Sequence, residues 1–311
     1  MFGTEFVRDL MTRSAESETD RRRFLKSAGV AGLGVVGTSV LGGAIGTASA
    51  NADSDAPSDG AILNFALNLE YLEGEFYSRA VTGHGLPDSI TGGKFGRGPV
   101  IGGRAVPFKS AAVRQYAKEI AHDERDHVEF LRYALGSAHV GRPAIDLKAS
   151  FTAAAQAAGL IKKGQSFDPF ADENSFLLAA FIFEDVGVTA YKGAAPLISN
   201  KTYLEAAAGI LAVEAYHAAT IRTVLFERGL GAATVAISNA RDSLDGSSDD
   251  DQGTVRNGQA NITPTDANGI AFSRTAGQVL NVVYLNVESV RKGGFFPHGV
   301  NGVINTSTDS D

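Results

Sequence analysis

Four stretches of the chain place apolar residues at i, i+3, i+4 and i+7, and each stripe is interrupted by a charged residue. The first, over 61–81, aligns Leu63, Leu67, Glu70 and Tyr77. The second, over 109–135, aligns Ile120, Glu124, His127, Val128, Leu131 and Leu135. The third, over 173–192, aligns Leu177, Ala180, Glu184, Val188 and Tyr191, and the fourth, over 200–228, aligns Ile210, Glu214, His217, Ile221 and Val224. This period predicts four helices that each bury one face. Gly83 and Gly85 end the first, Gly136 the second, Gly193 and Pro196 the third, and Gly229 the fourth, while Asp172 or Asn174 is positioned to cap the third. Residues 82–108 are rich in Gly and Pro with no helical period, which predicts a long loop. Residues 137–172 read as a crossover containing a short helix over 149–162.

Two helix pairs, 61–135 and 173–228, joined by one long crossover give an all-α ferritin-like four-helix bundle rather than a simple up-down bundle. Beyond it the pattern changes. Residues 242–253 are acidic and turn-rich, and a fifth helix is expected over 273–291, with Val279, Leu280, Val283, Leu285 and Val287 apolar. Phe295-Phe296-Pro297 follows Gly293-Gly294 and should dock on the bundle. The organisation read from the chain is a segment 1–50, a polar linker 51–60, the bundle 61–235, and a C-terminal extension 236–311 that packs on it.

The charges inside the apolar stripes repeat. Glu70 is followed seven residues later by Tyr77, and Glu184 by Tyr191. Glu124 and His127 precede Arg132, and Glu214 and His217 precede Arg222 at the same spacing. Each Glu-x-x-His step sets both side chains on one helical face. Buried unpaired carboxylates are costly and repel one another. Two divalent cations would neutralise the four glutamates, so this order of residues predicts a site for two metals held by Glu70, Glu124, His127, Glu184, Glu214 and His217. Glu119 and His122 form a competing pair, but they lie about 140° around the helix from Glu124 and His127, and the matching arginines select the latter. Glu73 competes with Glu70 one turn on; the Tyr at +7 selects Glu70 and leaves Glu73 as a supporting group or an extra ligand. Tyr77 and Tyr191 are expected to donate hydrogen bonds to carboxylates. Asp123 and Asp185 are the candidate acceptors for the imidazole N–H groups. Arg132 and Arg222 could pair with carboxylates across the bundle or face solvent. The Asp249-Asp250-Asp251 run and Asp266-x-Asn268-Gly269 lack the full ligand spacing of a calcium loop.

The N-terminal residues Arg21-Arg22-Arg23-Phe24-Leu25-Lys26 match a twin-arginine export signal. A glycine-rich apolar stretch runs to Thr47, and Ala48-Ser49-Ala50 is a cleavage site of the A-x-A type. A retained membrane anchor is the competing reading; the glycines and the A-x-A ending favour cleavage, without stable membrane insertion afterwards. Of the 28 basic and 35 acidic residues, 6 and 5 lie in the first 50, so the remainder carries 22 against 30, a net charge of −8. That balance argues against nucleic acid and anionic membrane surfaces as partners. The chain has no cysteine, which excludes disulfides and thiolate metal sites.

The run Leu63-Asn64-Phe65-Ala66-Leu67, Leu69-Glu70-Tyr71-Leu72-Glu73 to Phe76-Tyr77, His122-Asp123-Glu124 with His127, and Gly293-Gly294-Phe295-Phe296-Pro297 resembles the bacterial ferritin-like proteins related to plant desiccation-associated proteins. More distantly, the E, ExxH, E, ExxH order is similar to rubrerythrin and manganese catalase. The resemblance implies a ferritin-like bundle, iron or manganese on the six ligands named above, and dioxygen or peroxide as substrate in oxidative or desiccation stress. The alternative is a non-enzymatic protective or structural protein stabilised by its metal. Oxygen and imidazole ligands suit either metal, and the pattern is compatible with a homo-oligomer.

Overall fold

A computed structural model describes residues 57–310; the segment 1–50, expected to be an export signal, and most of the linker lie outside the described residues. The four expected helices are present as α1 (Asp59–Thr82), α2 (Ala111–Leu135), α4 (Glu173–Ala194) and α5 (Lys201–Glu227). Each starts at a side-chain cap, where an oxygen accepts from backbone N–H groups that have no partner within the helix. The caps are Ser58, Ser110, Asp172 and Asn200. Helices α1 and α2 pack along their length, as do α4 and α5, and the pairs face each other across the core.

The loop after α1 and the crossover are tied together. Strand β1 (Val100–Ile101) pairs in parallel with β2 (Ile145–Asp146). Buried Glu75 on α1 receives Arg79 and Arg142, the latter from the crossover. The crossover helix α3 (Ala149–Ala157) is shorter than expected: Gly159 takes a left-handed φ of 68° and ends it. Its Phe151 joins Phe76, Phe170, Phe176 and Phe183 in a buried aromatic cluster.

The extension departs from expectation in two places. Helix α6 (Gly231–Asp245) begins within the presumed end of the bundle, and only residues 246–253 of the expected acidic loop are outside helix or strand. Its buried stripe is Thr234, Ile237, Ser238, Arg241 and Asp245, so a helical period is there but is carried by polar residues. A short antiparallel pair, β3 (Val255–Arg256) with β4 (Gln259–Ala260), follows. The expected fifth helix is α7 (Ala276–Tyr284), opened by a capping box of Thr275 and Gln278. It stops early because Leu285 adopts a left-handed φ of 55° and the Asn281 amide turns to the carbonyls of Asn286 and Thr308. The tail then folds back: Phe295 N–H donates to the Val283 carbonyl at 2.9 Å, and its ring packs on Phe151 and Phe183 with centroids 4.9 and 5.0 Å away. The Phe-Phe pair docks as expected, both rings fully buried.

Three arginines fasten the extension to the bundle. Arg222 on α5 donates to Asp185 at 2.7 Å and to the carbonyls of Gln252, Gly253, Asn261 and Ile262. Arg241 on α6 donates to Asp185, Asp251 and the carbonyls of Phe181 and Ile182. Arg274 reaches Asp245, Asp251 and the Thr189 hydroxyl. All three are buried, and each has carboxylates and acceptors around it, as a buried charge requires. No helix among the described residues is long and apolar enough to cross a membrane.

Candidate metal centre

The helical register turns all six expected ligands inward. Glu70, Glu124, Glu184 and Glu214 are at most 1% exposed, and His127 and His217 are buried at the edge of the same space. Their donor atoms form two overlapping groups. Glu70, Glu124, His127 and Glu214 each offer an atom within 4.8 Å of the others, and so do Glu124, Glu184, Glu214 and His217. Glu124 and Glu214 belong to both. Each group joins residues from both helix pairs, so the cluster exists only when the two halves meet. These two groups are the ones able to hold a metal ion among the described residues; neither acidic stretch weighed as a calcium loop forms such a group.

Both histidines present Nδ1 to the carboxylates. His127 Nδ1 lies 3.2 Å from Glu70, and His217 Nδ1 lies 3.1 Å from Glu124 and 3.5 Å from Glu184. On the far side of its ring, His217 Nε2 is 3.1 Å from Asp123, the arrangement that fixes a ligating imidazole's orientation. Asp185, weighed for the same task, instead receives Arg222 and Arg241. The tyrosines cross between halves: Tyr77 donates to Glu184 and Tyr191 to Glu70, both in short hydrogen bonds. Burial pushes both phenols well above their ordinary pKa, so they stay protonated and can donate.

The two repeat arginines diverge. Arg222 pairs with a carboxylate, though with Asp185 on the neighbouring helix of its own pair rather than across the bundle, whereas Arg132 donates to the Tyr71 hydroxyl at 2.6 Å and to the Gly92 carbonyl. The competing pair Glu119 and His122 faces solvent, with His122 beside Asp126. Glu73 is buried at 5% exposure but belongs to neither ligand group.

The donor set fits metal. Both carboxylate oxygens of Glu124 and of Glu214, one of Glu184, and Nδ1 of His217 are buried with no hydrogen-bond partner. Such atoms normally find one, and six of them converging on one space is what divalent cations would satisfy. In the metal-free chain, protons take that part. Burial pushes Glu70 up to about 7. Glu73, Glu184 and Glu214 are also raised, chiefly by burial and partly by neighbouring carboxylates. Burial opposes charge on both imidazoles, but the surrounding carboxylates outweigh it and raise them. Only Glu124, between the two histidines, is held below its usual range.

A carboxyl with a raised native pKa binds a proton in the fold where the unfolded chain has lost it, so its contribution falls as pH rises from 4.5 toward 7 and beyond. A raised imidazole contributes stability that is full below 6.5 and lost as pH climbs through its native pKa. Glu124 runs the other way, its contribution being lost only as pH falls below 4.5. The balance makes the metal-free protein less stable at pH 8 than at pH 5.5, by about 1.4 kcal/mol per pH unit for each proton involved. Thermal melts of the chelated protein at the two values test this; a higher melting temperature at pH 8 would contradict it. The metal-loaded protein should reverse the trend, because metal displaces those protons.

The family model described as a ferritin-like domain matches residues 58–227, the segment holding all four ligand-bearing helices. The chain belongs to the ferritin-like domain family. Among curated proteins, this ferritin-like chain is 29% identical over 262 residues to the ferritin-like catalase Nec2 of Nesocodon mauritianus, covering 78% of this chain and 83% of that protein. It is 32% identical over 251 residues to the desiccation-related protein PCC13-62 of Craterostigma plantagineum, covering 73% and 78%. No solved structure matches it significantly. Both matches reach beyond the length of the ferritin-like domain itself, so the likeness includes chain outside the bundle. The mostly helical fold and the suspected kinship with desiccation-related proteins are thereby established.

Proposed function

We propose that this is an exported di-metal carboxylate protein that holds two divalent transition metals, iron or manganese, and uses them on peroxide or dioxygen. The observation that carries the reading is the pair of overlapping donor groups sharing Glu124 and Glu214, with their buried atoms lacking other partners. The residues that would hold the metals are Glu70, Glu124, His127 and Glu214 in one group and Glu124, Glu184, Glu214 and His217 in the other. Bound metals would supply reversible one-electron oxidation, which lets two molecules of hydrogen peroxide become two of water and one of dioxygen. The protein's part is positional. Tyr77 and Tyr191 orient Glu184 and Glu70, Asp123 orients His217, and the aromatic cluster under Phe76 and Phe295 keeps bulk water away. The similarity to a ferritin-like catalase favours peroxide. The twin-arginine segment supports export.

The similarity to a desiccation-related protein favours a second reading, in which the metal serves stability alone. One experiment separates them. The purified protein is loaded with iron or manganese, its melting temperature is followed on chelation, and peroxide loss is followed by dioxygen release. The first reading expects a lower melting temperature on chelation and metal-dependent peroxide turnover that His127→Ala or His217→Ala removes while helicity is retained. A stability response with peroxide untouched by either metal form gives the second reading. No response of either kind overturns both.

A further inference from the structure

The internal repeat is broken at one pair of positions. Three residues after Glu70 stands Glu73, and three residues after Glu184 stands Gly187. One half of the bundle adds a carboxylate where the other half removes a side chain altogether. The two positions meet: a Cβ on Gly187 would lie 2.3 Å from Oε2 of Glu214 and 3.6 Å from Oε1 of Glu73. The bare glycine therefore lets the Glu214 carboxylate, one of the two common to both donor groups, lie against the α4 backbone beside Glu73.

Glu73 is 95% buried, at 5% exposure, and makes no hydrogen bond or ion pair among the described residues. A buried carboxylate without a partner is costly and points to something that completes it. Both Glu73 and Gly187 line a cavity of about 20 Å³ whose remaining walls are apolar. Leu72, Phe183 and Val186 form its sides, and Val283 of α7 with Phe295 of the tail form its roof. The volume suits one or two water-sized molecules. The walls would admit a small neutral species, and the Glu73 carboxyl is the one ionisable group there to hold it.

Resting on the metal-centre reading above, we propose that this cavity, with Glu73 and Gly187 in its wall beside the Glu214 carboxylate, is the seat of a substrate no larger than peroxide or dioxygen. The C-terminal extension then does more than stabilise the bundle. By roofing the cavity it sets the size of what reaches the centre, and bulky organic hydroperoxides are excluded. Glu73 is a binding group for the small ligand, not a seventh metal ligand.

The test uses the full mature protein loaded with ferrous iron under anaerobic conditions, with nitric oxide as a diatomic neutral probe and tert-butyl isocyanide as a bulky one. Metal per chain is measured by elemental analysis and probe binding by the change in the iron's optical and electron paramagnetic resonance spectra. Wild type should take up nitric oxide and not the isocyanide. Val283→Leu adds a methylene to the roof, away from every ligand, and should weaken nitric oxide binding at least about tenfold, some 1.4 kcal/mol, with metal content unchanged. Gly187→Ala should weaken it as strongly. If that variant also sheds metal by displacing Glu214, Val283→Leu carries the comparison alone. Glu73→Ala should keep the full metal count. Unaltered nitric oxide binding in Val283→Leu, isocyanide uptake by wild type, or loss of one metal per chain in Glu73→Ala would each overturn the proposal while leaving the metal centre standing. Failure of wild type to take up metal would overturn the centre and the pocket together.

Discussion

The double variant Glu124→Ala, Glu214→Ala is expected to take metal content from about two per chain to none. These are the two residues common to both donor groups, so their loss leaves each position with one carboxylate and one imidazole, too few to hold a divalent ion against water. The fold should survive the change. Both side chains are buried with unpartnered oxygens, and burial drives Glu214 to resist ionisation, so removing them relieves repulsion at the same time as it opens a cavity. Far-ultraviolet circular dichroism should thus be unaltered while elemental analysis reads zero. Full metal retention in this variant would sink the assignment of the centre.

Arg222→Ala should cost about 3–5 kcal/mol of stability, the usual consequence of breaking a buried charge pair from one side. Its guanidinium is fully buried. It neutralises Asp185 on α4 and takes up four carbonyls between Gln252 and Ile262. Truncation leaves the Gln252, Asn261 and Ile262 carbonyls without a donor, Gly253 with the Asn261 amide only, and Asp185 dependent on Arg241 alone. Arg132, its sequence counterpart, offers an internal control. It is only half-buried and donates to a hydroxyl and a carbonyl, so Arg132→Ala should cost about 1 kcal/mol. Urea denaturation of both variants compares them; equal losses would mean that the Arg222 network does not anchor the extension.

That contrast shows where sequence reading succeeds here. The helices bearing Glu70, Glu124, Glu184 and Glu214 were legible because an apolar residue recurs at helical spacing on either side of each ligand, and the repeat marks the ligands twice. Helix α6 was not, since Ser238, Arg241 and Asp245 occupy its buried face and no hydropathy pattern distinguishes a buried, paired arginine from a solvated one. Nor could the chain show that Asp123 faces His217 while Asp185 faces Arg222: both aspartates sit one position from a ligand glutamate, on opposite sides of it, and only the packing of α5 and α6 separates them. The early end of α7 depends on Leu285 in a left-handed conformation, which the side chain itself disfavours and the returning tail imposes. Gly187 was invisible for a simpler reason: its contribution is the absence of a side chain.

The crossed tyrosines carry a consequence for how the molecule can be divided. Tyr77 completes a glutamate of the other helix pair, and Tyr191 returns the service. Each pair thus leaves its own Glu without a donor and supplies the one its counterpart lacks. The two pairs stand to each other as the subunits of a two-fold dimer do, with the crossover as a covalent tether between them. Glu73 and Gly187 then mark what fusion permits and a true dimer forbids: two copies encoded separately in one chain are free to differ, so the entrance to the centre need exist on one side only.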